Sequence, residues 1–174
     1  MRCVKDAKFI QKIVYIMLFF AATVSADWIP QNSGVIKTLN AVKFIDNSIG
    51  IVVGKTGVIL RTIDSGDSWS SVISGTSNDL NGVYFINKTI GWICGDGGTI
   101  LKTVDAGAHW IPQPSGTSLN LESIYFYNAS LGWAVGDAQR IVATDNGGAA
   151  WTIETYSPYD ASVVFRSVHF IGPN

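Results

Sequence analysis

Asp79, Asp96, Glu122 and Asp137 are the residues of this sequence best suited to chemistry, because two carboxylates at the right separation hydrolyse a glycosidic bond. Asp96 and Asp137, however, each follow a glycine at the same point of successive repeats, where aspartate is a common turn former. A sialidase would also need clustered arginines for the substrate carboxylate and a Tyr/Glu nucleophile pair. Arg61 and Arg140 do not occupy equivalent repeat positions, so no such cluster is evident. His109 and His169 with Cys94 offer no zinc-ligand spacing. The run of Gly95, Asp96, Gly97 and Gly98 joins two strands and opens no helix, so it lacks the N–H cradle of a phosphate loop. Cys94 lies in an apolar strand, which predicts a buried, unreactive thiol. Asn87-Lys88-Thr89 and Asn128-Ala129-Ser130 match glycosylation sequons, but they are one turn in successive repeats, and turn chemistry accounts for them. These readings predict no catalytic residue, no metal and no cofactor.

The elements that must position these side chains follow from a repeat. Trp28, Trp69, Trp110 and Trp151 recur every 41 residues, as do Phe44, Phe85 and Phe126, and Gly54, Gly95 and Gly136. Each unit reads L-N-x-V-x-F, a polar turn, I/L-G-x-x-x-G, a second turn, an apolar run, then T-x-D-x-G-x-x-W. Four short β-rich runs separated by Gly/Asn/Asp turns are four strands, with no segment long enough for a helix. In the first unit they are expected at 41–45, 50–53, 58–62 and 68–72. Apolar residues stand at consecutive positions, as in Ile51, Val52 and Val53, so both faces of each small sheet are covered. A repeated four-stranded sheet with two buried faces is a propeller blade. The fold expected is therefore all-β, an open, partial β-propeller of antiparallel blades over about 39–73, 80–114 and 121–155, flanked by single strands at Trp28 and at 167–171.

Topology sorts the loops onto two faces. The T-x-D-x-G-x-x-W turns share one face with the first-to-second-strand turns. Their residues Thr62, Asp64, Gly66 and Trp69, then Thr103, Asp105, Gly107 and Trp110, then Thr144, Asn146, Gly148 and Trp151, are expected to be structural: the acid or amide accepts backbone N–H groups, the glycine takes a left-handed turn, and the tryptophan fills the seam between blades. The second-to-third-strand turns and the blade-to-blade loops share the opposite face, where ligands are expected. Lys55, Asp79, Asp96, Glu122, Asp137 and Gln139 are the candidate binding residues there.

The first 26 residues read as a removable export signal: a basic head of Arg2, Lys5, Lys8 and Lys12, an apolar stretch over 13–24, and small residues ending at Ala26. That stretch is short of the roughly 20 residues needed to span a membrane, so no membrane insertion is expected after cleavage. Residues 27–174, the expected propeller domain, carry 8 basic and 12 acidic residues, a net charge of −4 that argues against nucleic acid. Cys3 leaves with the signal, so Cys94 remains alone and no intramolecular disulfide is expected.

The T-x-D-x-G-x-x-W element resembles the Asp-box, or bacterial-neuraminidase, repeat. The fuller unit, with Gly91, Trp92, Gly95 and Asp96 repeated as Gly132, Trp133, Gly136 and Asp137, is similar to the photosystem II assembly and stability factor family. The resemblance implies a seven-bladed propeller without enzymatic activity, which binds a photosystem reaction-centre subunit partly through a patch of arginines. Arg61, Arg140 and Arg166 are the arginines of residues 27–174. The function expected is thus a non-catalytic, exported scaffold that binds another protein, in the periplasm, at the cell surface or in a thylakoid lumen. The alternatives are a piece of a secreted sialidase-like or other glycoside hydrolase or carbohydrate-binding propeller, or of a cell-surface protein. Three blades with two orphan strands leave free sheet edges, which is read as the N-terminal portion of a longer product.

Overall fold

The computed structural model describes residues 30–155 and 158–171. The chain divides into a unit over Met1–Pro30 and a second over Gln31–Asn174. The export signal and the strand expected at Trp28 lie outside the described residues.

Among the described residues, twelve strands form three antiparallel sheets, and in each the spatial order follows the chain. Blade one comprises β1 (Leu39–Phe44), β2 (Gly50–Gly54), β3 (Ile59–Thr62) and β4 (Ser70–Val72). Blade two comprises β5 (Leu80–Phe85), β6 (Gly91–Gly95), β7 (Ile100–Thr103) and β8 (Ile111–Gln113). Blade three comprises β9 (Leu121–Phe126), β10 (Gly132–Gly136), β11 (Ile141–Thr144) and β12 (Thr152–Glu154). The fold is an open, partial β-propeller. The second strands are buried along their whole length in blades one and two because a neighbour or a loop covers each side, which is why their apolar residues do not alternate with polar ones.

Two apolar seams hold the blades together. Ile51, Val53 and Ile59 of blade one meet Leu80, Phe85, Leu101 and Trp110 of blade two. Trp92, Cys94 and Ile100 of blade two meet Leu121, Phe126, Val142 and Trp151 of blade three. In every blade the tryptophan just before the fourth strand stands edge-on to the first-strand phenylalanine, at 6.2, 6.0 and 5.8 Å for Phe44–Trp69, Phe85–Trp110 and Phe126–Trp151. Trp110 and Trp151 are buried against the preceding blade, whereas Trp69 is half-buried, because no described sheet precedes blade one. It borders a groove of about 400 Å³ lined by Leu39, Val42, Val52 and Leu60.

Polar bonds reinforce each seam at matching positions. The Arg61 Nε–H donates to the Ala106 carbonyl at 2.9 Å, and the Lys102 ammonium donates to the Gly147 carbonyl at 2.7 Å. The Lys102 ammonium also lies 5.4 Å from the Trp92 ring centroid, and the Trp92 indole N–H reaches the same Gly147 carbonyl at 3.2 Å. Ala143 occupies this position in blade three and cannot continue the series.

The turns between third and fourth strands share one geometry. The side-chain oxygens of Asp64, Asp105 and Asn146 accept from the backbone N–H of Ser68, His109 and Ala150 at 3.0, 2.9 and 2.9 Å. Thr62, Thr103 and Thr144 donate their hydroxyls to the same three residues. Hydrogen bonds from the Ser68 hydroxyl, the Thr62 hydroxyl and the Ser68 backbone hold Asp64 at about 2, below the ordinary 3.8. Desolvation pushes Asp105 up, but bonds from the His109 backbone and ring and from the Thr103 hydroxyl outweigh it, leaving about 2. Because the folded values are depressed, this stabilisation is complete above the unfolded value near 3.8 and is lost as pH falls through about 2. The urea midpoint is therefore expected to drop between pH 4 and pH 2, and a combined Asp64→Asn, Asp105→Asn variant should show a shallower drop. An equal drop in the variant would place the acid sensitivity elsewhere.

One expected element differs. Residues 163–170, which include most of the strand expected over 167–171, join no ladder among the described residues. The segment is held by separate contacts to blade three. The Phe165 N–H donates to the Gly136 carbonyl at 3.0 Å, the Tyr125 hydroxyl donates to the Phe170 carbonyl at 2.9 Å, and Phe170 lies against Trp133 with ring centroids 4.3 Å apart.

Candidate functional site

The face opposite the Asp64, Asp105 and Asn146 turns is built from three tight turns, Lys55–Gly57, Asp96–Gly98 and Asp137–Gln139, and from the loops that lead into each blade. These parts are bonded together. The backbone N–H of Lys55, Asp96 and Asp137 donates to the carbonyl of Thr38, Asp79 and Asn120, the residue just before β1, β5 and β9. A side chain at the second-strand glycines Gly54, Gly95 or Gly136 would strike those same carbonyls, so glycine is required there for close approach.

Among the candidate binding residues, Lys55 and Asp79 are brought together across the first seam. Their charged groups lie 3.8 Å apart, while Asp79 also accepts the Thr56 N–H at 2.8 Å. In the second seam Asn120 takes the place of Asp79, accepting the Gly97 N–H at 3.0 Å. Asp96 accepts the Asn81 side-chain amide at 2.9 Å. Gln139 is set apart, because its side-chain oxygen accepts the Asp160 N–H at 2.6 Å and its own N–H donates to the Val163 carbonyl. Lys55 is exposed, and Asp79, Asp96, Glu122, Asp137 and Gln139 are half-buried.

The structure adds Asn40 and Asn81, which sequence reasoning missed, and shows that the candidate Glu122 occupies the same kind of position. In each blade the pairing of first and second strands slips by one residue, between Leu39 and Ala41, Leu80 and Gly82, and at Gly136 opposite Leu121. The extra residues of these bulges are Asn40, Asn81 and Glu122. A bulge re-aims its side chain out of the ladder, a device often found beside binding sites. Asn40 thus donates to the Leu80 carbonyl at 2.9 Å, and Asn81 donates to the Leu121 carbonyl at 3.1 Å, each clasping the next blade. The 41-residue interval between Asn40 and Asn81 was a visible signal of this role. Near the rim, burial pushes the Cys94 thiol up, with the Glu122 charge adding to the effect, so Cys94 is not a nucleophile. Burial, and then the neighbouring Tyr125 ring 5.0 Å away, raise Tyr84.

No group of three or more His, Cys, Asp or Glu side chains among the described residues is arranged to hold a metal. What the face offers is a display of carboxylates, amides and the Lys55 ammonium.

Comparison with known proteins follows the same line. No curated protein matches the chain. Among solved structures it is similar to YCF48 bound to D1 peptide, with 24% identity, a TM-score of 0.61, and coverage of 73% of this chain and 43% of that one. YCF48 from Cyanidioschyzon merolae is similar at 20% identity and a TM-score of 0.58, covering 72% of this chain and 41% of that one. An ancestral GH74 enzyme is similar at 15% identity and a TM-score of 0.58, covering 71% of this chain and 19% of that one. At these identities the likenesses speak to fold alone, and the chain spans less than half of each YCF48 structure. The sequence profile described as Photosynthesis system II assembly factor YCF48 matches residues 20–119, and this chain therefore belongs to that family.

Proposed function

We propose that this chain is a non-catalytic, exported propeller scaffold for photosystem II assembly, and that its ligand-side rim receives a segment of a reaction-centre subunit. Family membership carries the reading, and one of the similar YCF48 structures holds a D1 peptide. Of the six rim candidates, four are acids and one is a lysine, a balance that favours a segment presenting N–H and cationic donors. The basic head and apolar stretch before Ala26 support export, and with it a periplasmic or lumenal site of action. The likeness to a glycoside hydrolase is one of fold, and function is decided by the site.

The test is calorimetric titration of the purified chain with a D1 peptide. Saturable binding that weakens as salt rises is expected, and a paired Asp79→Asn, Asp96→Asn change should reduce affinity about tenfold, equivalent to about 1.4 kcal/mol. Absence of binding together with release of sugar from an oligosaccharide substrate would overturn the proposal.

A further inference from the structure

The third of the T-x-D-x-G-x-x-W turns departs from the other two at adjacent positions. Asp64 and Asp105 are followed by Ser65 and Ala106, whereas Asn146 is followed by Gly147. Left-handed backbone does not by itself demand that glycine, since Ser65 and Ala106 hold φ of 67° and 59° where Gly147 has 70°. What excludes a side chain at 147 is the Ala129 carbonyl, 2.6 Å from where a Cβ would stand. Asparagine before glycine is the pair in which a side-chain amide is most readily lost, because with no Cβ on the following residue its nitrogen closes on the side-chain carbon without hindrance.

In this turn the carbon is prepared and the nitrogen is withheld. Asn146 is exposed, and its Oδ1 accepts the Thr144 hydroxyl at 3.0 Å and the Ala150 N–H at 2.9 Å. Two donors on that oxygen stabilise the negative charge it gains when Cγ is attacked. Gly147 is buried and fixed at both ends. Its N–H donates to the Ser130 carbonyl at 2.8 Å, and its carbonyl accepts the Lys102 ammonium at 2.7 Å and the Trp92 indole N–H at 3.2 Å, both from blade two. The amide must give up its proton before it can attack, and an N–H held in a buried hydrogen bond gives it up only when the structure opens locally.

We infer that Asn146-Gly147 is a self-modification site of this chain, and that the seam between blades two and three sets its rate. Once Gly147 is released, its deprotonated nitrogen bonds to Asn146 Cγ, the Cγ–Nδ2 bond breaks, and ammonia leaves with a proton from water. The resulting five-membered imide then takes up one water. Opening at the side-chain carbonyl gives aspartate and opening at the backbone carbonyl gives isoaspartate, so the sum is amide plus water to acid plus ammonia. Aspartate gives the third turn the carboxylate of the first two. Isoaspartate lengthens the backbone by one carbon and draws Gly147 away from Ser130, Lys102 and Trp92, which loosens the seam.

The sequence supplies a reference in Asn81-Gly82, its other pair of this kind. Gly82 pairs with Cys94 inside the β5–β6 ladder, and the Asn81 Nδ2 donates to Asp96 and Leu121, so both reacting groups stay held while the blade is folded.

The test ages the full chain at mildly alkaline pH and maps conversion at 146 and 81 by peptide mass spectrometry. An Asn146→Asp variant provides the standard that separates aspartate from isoaspartate by chromatography. The native chain is expected to convert at 146 at least tenfold faster than at 81, and the urea-unfolded chain to convert both alike. Lys102→Met removes the charged donor on the Gly147 carbonyl and should speed conversion at 146 about tenfold, the effect of losing one such bond, while leaving 81 unchanged. Lys102→Arg should keep the slow rate, because Arg61 makes the equivalent bond to Ala106 in the first seam. Urea below the unfolding transition repeats the comparison without any substitution, and should accelerate 146 before 81. Equal native rates at the two sites, or no conversion at 146, overturns the site. An unchanged rate at 146 in Lys102→Met, or acceleration of both sites together there and in urea, overturns control by the seam.

Discussion

Trp110→Ala is expected to destabilise the chain by about 3–5 kcal/mol, the range for removing a large aromatic side chain from a packed interior. Trp110 is 8% exposed and sits in the first seam, edge-on to Phe85 at 6.0 Å and within the cluster that includes Ile51 and Ile59 of the preceding blade. Its loss opens a void between two sheets that touch mainly through side chains, so the damage falls on the association of blades one and two. Two companions separate seam packing from other effects. Trp110→Phe should cost much less than the alanine, because the indole N–H of Trp110 has no acceptor and nothing is orphaned by removing it. Trp69→Ala, at the same repeat position but only half-buried, should also cost less than the alanine at 110. Urea unfolding of the three variants decides the matter, and equal losses at 69 and 110 would show that the tryptophans act within their own blades and not across seams.

Gly98→Ala is expected to have a comparable effect by another route. Gly98 has φ +72, where alanine pays roughly 1–2 kcal/mol. A methyl group there would also run into the Thr117 carbonyl and approach the Ser115 hydroxyl at 2.8 Å, and such overpacking adds roughly 1–3 kcal/mol. Gly75→Ala is the control, since its φ of +74 carries the same conformational cost while nothing lies within 4 Å of the added carbon. The difference between the two in thermal or chemical unfolding measures the clash. Blade three supplies a natural comparison. Gln139 occupies the position of Gly57 and Gly98 and keeps a left-handed φ of 53°, with its N–H and side-chain oxygen bonded to the 160–163 segment. Phe170 follows Phe126 by 44 residues instead of 41, so the connection after blade three is longer than the others and meets this turn differently. If Gly98→Ala costs no more than Gly75→Ala, the loop before β9 yields and the clash is not a determinant.

Much of the fold was legible because the repeat is periodic in the residues that packing cares about. Glycines at 50, 91 and 132 leave room for the rings of Phe44, Phe85 and Phe126, and glycines at 54, 95 and 136 admit a backbone carbonyl, so both appear at the repeat interval. Strand edges shifted slightly, as for the fourth strand, expected over 68–72 and found over Ser70–Val72, because Asp64 holds the Ser68 N–H in the turn and withholds it from the ladder.

The rim was legible only in part. Lys55, Asp79, Asp96, Glu122, Asp137 and Gln139 could be placed on one face by strand counting, since alternating antiparallel turns leave no choice of side. Which of them meet could not. Lys55 finds Asp79 through the stacking of neighbouring sheets, and Asn81 finds Asp96 within blade two through a one-residue bulge, and neither the distance across a seam nor the slip in register is encoded by a local pattern.

By itself, then, the sequence determined the blade, its four strands and the face on which each loop lies, because those follow from local periodicity and turn chemistry. Tertiary structure alone decided that Asn40 and Asn81, each at a bulge between first and second strands, clasp the next blade. The physical reason is that a side chain's role at the rim is set by the hydrogen-bonding groups the neighbouring blade brings to it, and those become neighbours only when the sheets stack.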